Sequence, residues 1–178
     1  SVTVKKGTPT VTWTLDNKTF GDAAYDIAAP TSNSTGSFTY ASSDATVASV
    51  TSAGKVTVLA AGTTTITATQ AATDLYVATT KTAVLTVDKF APTLTGFTIP
   101  VKKFGDAPFT LTPPSSPSTG AFTYEIVAGT MSNPNVATLN GNTVTIGQAG
   151  TMQIKVKQAL TANYTVASAV ATLTVNRA

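Results

Sequence analysis

The pattern Phe20-Gly21-Asp22-Ala23-Ala24-Tyr25, followed by Gly36-Ser37-Phe38-Thr39-Tyr40, is written twice in this chain. It returns as Phe104-Gly105-Asp106-Ala107-Pro108-Phe109 and Gly120-Ala121-Phe122-Thr123-Tyr124. One offset carries Phe20 to Phe104, Gly36 to Gly120, Phe38 to Phe122 and Tyr40 to Tyr124, which chance does not produce. A longer offset carries Val56 to Val144, Gly62 to Gly150, Gln70 to Gln158, Tyr76 to Tyr164 and Val87 to Val175. The difference reflects extra residues in 126–133, partly cancelled by a shorter turn at Asn140-Gly141-Asn142. The chain is a tandem duplication, so both halves must adopt one fold. Two units of roughly 85 residues can each bury one small core and no second one. The repeats are placed at residues 7–89 and 90–178, with 1–6 as the end strand of a preceding repeat or an N-terminal arm.

Alternation with a period of two decides what that fold is. Val11, Trp13 and Leu15 share a face, as do Tyr25 and Ile27, Phe38 and Tyr40, and, in the second copy, Met152, Ile154 and Val156. Pro9 and Pro92 stand at strand starts, and Gly96 marks a bulge in the strand after Pro92. Gly21 and Gly105 can take a positive φ, while Asp22 and Asp106 can accept backbone N–H groups just ahead. Turn signals punctuate about seven short strands per unit, with no helical period beyond two turns. The expected fold is all-β: two tandem immunoglobulin-like antiparallel β-sandwiches of about seven strands each.

Composition then removes whole classes of function. There is no cysteine, so disulfides, thiolate chemistry and cysteine-ligated zinc are excluded. There is no histidine, which takes away the usual general base and the commonest transition-metal ligand. The net charge of +3 comes from scattered lysines and arginines that form no basic stripe, so nucleic acid is not an expected partner. No apolar run is long enough to span a membrane as a helix, so no membrane contact is expected of this segment. The start lacks a methionine and a signal-like segment, which reads as a processed product or a piece of a longer chain.

Taken in order, several motifs resemble the bacterial immunoglobulin-like repeats of group 2. They are Pro-Thr-x-Thr-Trp ending at Trp13, Phe-Gly-Asp-Ala-x-Tyr at 20–25, Gly-Ser-Phe-Thr-Tyr-x-Ser-Ser at 36–43, Val-Ala-Ser-Val at 47–50, and Ala-Gly-Thr-Thr-Thr-Ile-Thr-Ala-Thr-Gln at 61–70. The resemblance covers nearly all of the first unit; the second departs at 125–134 and 147–150. It implies a tandem module of exported surface or adhesin proteins, with similar modules on phage virions. It implies no catalytic residue and no cofactor, because the shared positions are structural: Phe20, Gly21, Asp22, Tyr25, Phe38 and Tyr40, matched by Phe104, Gly105, Asp106, Phe109, Phe122 and Tyr124.

Three functional readings follow. The first is a non-catalytic, semi-rigid extracellular stalk or spacer whose partners are neighbouring repeats. The short connection Asp88-Lys89-Phe90-Ala91 limits bending, and strands of this length predict a pair on the order of 70 Å long. The second is a subunit of a filament, sheath or virion surface, assembling by strand addition through Val2 and Val4. The third is a glycan or receptor binder presenting the hydroxyl-rich loops Ser32-Asn33-Ser34-Thr35 and 115–119. For metal, Asp88 at the linker is the one weak calcium candidate, since no dense Asp-x-Asp-x-Asp cluster exists. Trp13 and Tyr40 read as core, and Tyr76 and Tyr164 as residues that tack a loop to the sandwich.

Overall fold

A computed structural model describes residues 4–178, and the chain divides into two compact units, Ser1–Phe90 and Ala91–Ala178. In the first unit the strands are β1 (Val11–Thr12), β2 (Lys18–Thr19), β3 (Tyr25–Asp26), β4 (Thr31–Ser32), β5 (Phe38–Ser42), β6 (Ala48–Val50), β7 (Lys55–Val58), β8 (Gly62–Gln70) and β9 (Thr79–Asp88). In the second they are β10 (Lys102–Lys103), β11 (Phe109–Thr110), β12 (Phe122–Ile126), β13 (Ala137–Asn140), β14 (Thr143–Ile146), β15 (Gly150–Gln158) and β16 (Ala167–Asn176).

Each unit is built of the same two sheets. The larger runs β2-β9-β8-β5 in the first unit and β10-β16-β15-β12 in the second; the smaller runs β3-β7-β6 and β11-β14-β13. Strands β8 and β15 show why this chain folds so. Along β8, Thr64, Ile66, Ala68 and Gln70 are buried, and along β15 so are Met152, Ile154, Val156 and Gln158. The intervening threonines and lysines stay nearer the surface, which is the period-two pattern of a sheet with one dry face. These inward rows meet Leu85 and Val87, or Leu173 and Val175, from the partner strand and Val56 or Val144 from the opposite sheet. Each large aliphatic side chain so buried stabilises its unit by about 1.5–3 kcal/mol.

Two expectations are corrected. The sandwiches are not wholly antiparallel: β2 runs parallel to β9, and β10 parallel to β16. The first strand of each unit breaks and crosses between sheets. Thus β1 pairs β4, whereas β2, beyond the break, joins the last strand of the larger sheet. In the second unit only a single antiparallel bridge, Thr95 to Ser115, stands where β1 pairs β4. Gly96, at φ +76, kinks that segment in the left-handed region, so the expected bulged strand is a kink beside one bridge.

Candidate functional site

The repeated Phe-Gly-Asp stretch is a turn closed by its own aspartate. Asp22 Oδ2 accepts the Thr19 N–H at 2.9 Å, while the Asp22 N–H donates to the Thr19 carbonyl at 3.0 Å. Asp106 does the same with Lys103, at 2.9 and 3.1 Å. Gly21 and Gly105 hold φ near +95 and +92, which a residue with a side chain rarely adopts. The flanking rings differ. Phe20 packs against the first core, but Phe104 is 54% exposed, so the structural role expected of Phe104 belongs to the turn rather than to its ring.

Apart from Phe38, the other motif aromatics line the cores. Trp13 lies 5.8 Å from Tyr40, ring centroid to centroid, and donates its indole N–H to the Ala28 carbonyl at 2.9 Å. Phe97 and Tyr124 form the counterpart pair at 6.1 Å. Burial pushes the phenol pKa of Tyr40 and of Tyr124 above the ordinary tyrosine value. Tyr25 and Phe109 each sit beneath a lysine ammonium, Lys18 at 4.3 Å and Lys102 at 4.5 Å from the ring centroid. Phe38 and Phe122 are half-buried on the inward side of β5 and β12. Tyr76 and Tyr164 are half-buried, and each main-chain N–H is held at 3.2 Å by a threonine hydroxyl, Thr73 or Thr161.

The most complete polar constellation was assigned no role from the sequence. Gln70 and Gln158 end β8 and β15 on the buried side, at 0% and 1% exposure. The Gln70 amide donates to the carbonyls of Ser34 and Gly36, both at 3.0 Å, and its oxygen accepts the Ser32 hydroxyl at 2.8 Å. Gln158 repeats this with Ser118 and Gly120, at 2.9 and 3.0 Å, and with Ser116 at 2.6 Å. The serine hydroxyls also accept main-chain N–H groups two residues on: Ser34 and Gly36 in one unit, Ser118 and Gly120 in the other. Gly36 and Gly120 seal the bracket by close approach, since a Cβ there would lie 2.0 Å from the carbonyl oxygen of Ala71 or Ala159. A signal did exist: each glutamine occupies the inward parity of an otherwise apolar or small row.

This bracket corrects the basis of the glycan-presenting loop. Ser32, Ser34, Ser116 and Ser118 turn their hydroxyls inward to the frame, and Asn33 Oδ1 accepts the Thr10 N–H at 2.9 Å. The outward faces, in contrast, differ between units. Ala41, Thr67 and Thr69 in the first unit correspond to Glu125, Lys155 and Lys157 in the second, while Thr39 and Thr123 are alike. There Glu125 accepts from Lys157 at 2.8 Å with Lys155 at 4.0 Å. The Lys157 hydrogen bond, ahead of the two lysine charges, holds the Glu125 carboxyl below the usual range.

Of the strand-addition residues, Val2 lies outside the described residues, while Val4 is 79% exposed and outside any strand. Asp88 ends β9, exposed, its carbonyl accepting the Phe20 N–H at 2.8 Å. Among the described residues, no three or more Asp, Glu, His or Cys side chains gather as a metal group. No helix there is long and apolar enough to cross a membrane.

The double-layered sheets, the crossing first strand and the repeated core define an immunoglobulin-like β-sandwich module, present twice. Residues 24–87, most of the first unit, match the model of the bacterial Ig-like domain (group 2), as the motifs led one to expect. Modules of this class are extracellular structural or binding domains, generally non-catalytic. No curated protein matches this chain. Among solved structures, human protocadherin-24 EC1-2 is similar at 14% identity and a TM-score of 0.34, over 80% of this chain and 83% of that one. Sidekick-1 immunoglobulin domains 1–5 share 17% identity at a TM-score of 0.36, over 96% of this chain and 40% of that one. Domains 1–6 of the surface layer protein SbsC share 17% at 0.32, over 79% and 20%. Likenesses at this level carry nothing about function.

Proposed function

We propose that this chain is a non-catalytic, semi-rigid stalk or spacer segment of a repetitive, exported, adhesin-like bacterial surface protein. The observation that supports the reading is repetition inside without repetition outside. The cores, the Gly-Asp turns and the glutamine brackets recur, whereas Ala41, Thr67 and Thr69 on the first outer face give way to Glu125, Lys155 and Lys157 on the second. A ligand shared by both units requires like outward residues; a link requires only like inward ones. Its partners are then neighbouring repeats of the same chain, and its useful properties are length and stiffness.

Small-angle scattering with multi-angle light scattering, over a concentration series with and without calcium, tests this. The expected result is a monomer of unchanging dimensions, on the order of 70 Å, indifferent to calcium. Growth with concentration that disappears when residues 1–6 are deleted would replace the stalk with the strand-adding subunit, for which the exposure of Val4 is the available support. A calcium-dependent change in dimensions would return Asp88 to consideration as a ligand.

A further inference from the structure

The hairpin of β13 and β14 turns on Gly141 and Asn142 alone, since Asn140 and Thr143 are the last pair across it. Gly141 holds φ +59 at the first central place of this two-residue turn, where glycine is preferred. It follows the one asparagine of the chain that precedes a glycine. Asparagine is thermolabile because the next main-chain nitrogen can attack its side-chain carbonyl carbon. A side chain on the next residue, or hydrogen bonds that hold the reacting groups, resist the attack.

Neither restraint acts at this turn. A Cβ at Gly141 would have nothing within 4 Å. Among the described residues, the Gly141 N–H finds no hydrogen-bond acceptor and the exposed Asn140 side chain no partner. An open cleft of about 540 Å³, with Gly141, Asn142, Tyr124 and Pro113 in its wall, brings solvent to the same place. The other asparagines are held or crowded. Asn33 accepts the Thr10 N–H at 2.9 Å, and Asn133 donates to the Ala149 carbonyl at 2.9 Å and precedes Pro134, which has no N–H. Asn17, Asn135, Asn142, Asn163 and Asn176 each precede a residue with a side chain. The first unit supplies an internal control: its turn, Ser52-Ala53-Gly54, holds no asparagine, and the Gly54 N–H is committed to the Thr51 carbonyl at 2.9 Å.

We propose that Asn140 is a self-modifying site, at which the side chain closes on the Gly141 nitrogen and opens again as aspartate and isoaspartate. In the first step the Gly141 nitrogen gives up its proton to hydroxide and bonds to Asn140 Cγ. The Cγ–Nδ2 bond breaks, and the amide leaves as ammonia. In the second step water adds to the cyclic imide. Opening at Cγ gives aspartate, and opening at the Asn140 main-chain carbon gives isoaspartate. The sum is loss of ammonia and gain of water, with no oxidant or reductant. The closing step needs Asn140 to leave its strand conformation, which the last pair of a hairpin does most readily by fraying. Either product removes one unit from the net charge of +3. Isoaspartate also lengthens the main chain by one carbon, which breaks the Asn140–Thr143 pair and loosens the 2.8 Å bond from the Leu111 N–H to the Asn142 carbonyl. The site does not depend on the stalk reading.

Peptide mass spectrometry of the whole chain, aged at neutral and at mildly alkaline pH, tests it, with enzymatic methylation to report isoaspartate. The expected result is conversion of amide to acid at Asn140 ahead of every other asparagine, faster at the higher pH, with methylatable isoaspartate among the products. Correlation spectra of the aged chain should shift at 109–111 and 139–145. Asn140→Ser copies the residue that begins the first unit's turn, so it should fold, as its own spectrum reports, and it should abolish both the acid product and the shifts. An Asn140 that stays an amide while other asparagines convert, conversion at equal rates along the chain, or spectral shifts that persist in Asn140→Ser would overturn the proposal.

Discussion

Gln70 and Gln158 each hold a whole loop by three hydrogen bonds in a dry place. Truncating Gln158 to alanine leaves the Ser118 and Gly120 carbonyls and the Ser116 hydroxyl without this partner and opens a cavity, which together cost roughly 2–5 kcal/mol. Denaturant unfolding followed by tryptophan-independent circular dichroism should show that loss, and Gln70→Ala should match it in the first unit. A loss below about 0.5 kcal/mol, the range of ordinary surface substitutions, would mean that the bracket is ornamental. Neither glutamine announces its partners in the sequence. Parity marks it as inward, but its hydrogen-bond partners lie at |i−j| of 34 to 42, and only the closed sandwich brings them within reach.

At the scale of elements, the outward faces of β12 and β15 carry a local electrostatic device. Glu125 lies opposite Lys155 in the register, with Lys157 one row on, and is hydrogen-bonded to Lys157. Its folded pKa is therefore held below the ordinary glutamate value. A depressed acid contributes stability that is present above its unfolded pKa and is lost as pH falls through the folded one, so this contact fades only as pH falls below the ordinary glutamate range. Side-chain carbon NMR titration should place Glu125 below the ordinary glutamate value, and Lys157→Met should move it back toward that value. No movement would show that the hydrogen bond is not formed in solution. Elsewhere the units diverge inside an element without losing the fold. Thr64, buried on β8, ties down 42–44 through the Ser42 hydroxyl at 2.8 Å and the Asp44 N–H at 3.0 Å. Its counterpart Met152 fills the core instead, where the segment replaced in the second unit packs Met131 against the same cluster. The longer segment was legible in the sequence; the exchange of a hydroxyl staple for apolar packing was not, since it depends on what faces position 64 or 152.

At the scale of the molecule, each unit surrounds its own cluster: Val56, Ile66, Leu85 and Val87 in one, Val144, Ile154, Leu173 and Val175 in the other. Ile66→Ala should cost about 2–5 kcal/mol by cavity formation. Native-state hydrogen exchange should show that loss in the amides of β7, β8 and β9, while those of β14, β15 and β16, around the other cluster, keep their protection. Loss of protection in both would mean that the two clusters open together. A chain built this way places its stability in inward residues and leaves its outward faces free to diverge.

The sequence by itself determined the duplication, the all-β class, which parity of each strand is inward, and where the Gly-Asp turns fall. Those properties are local or periodic: they depend on neighbours two residues apart and on the φ that a glycine permits. The tertiary structure alone decided that β2 and β10 run parallel to the last strands, that two glutamines bracket distant loops, and that the Tyr25 hydroxyl is buried without a hydrogen-bond partner. Each of these is a matter of what lies across a face or beyond a chain crossing. A period of two says which way a side chain points, and only the closing of the sheets says what it meets.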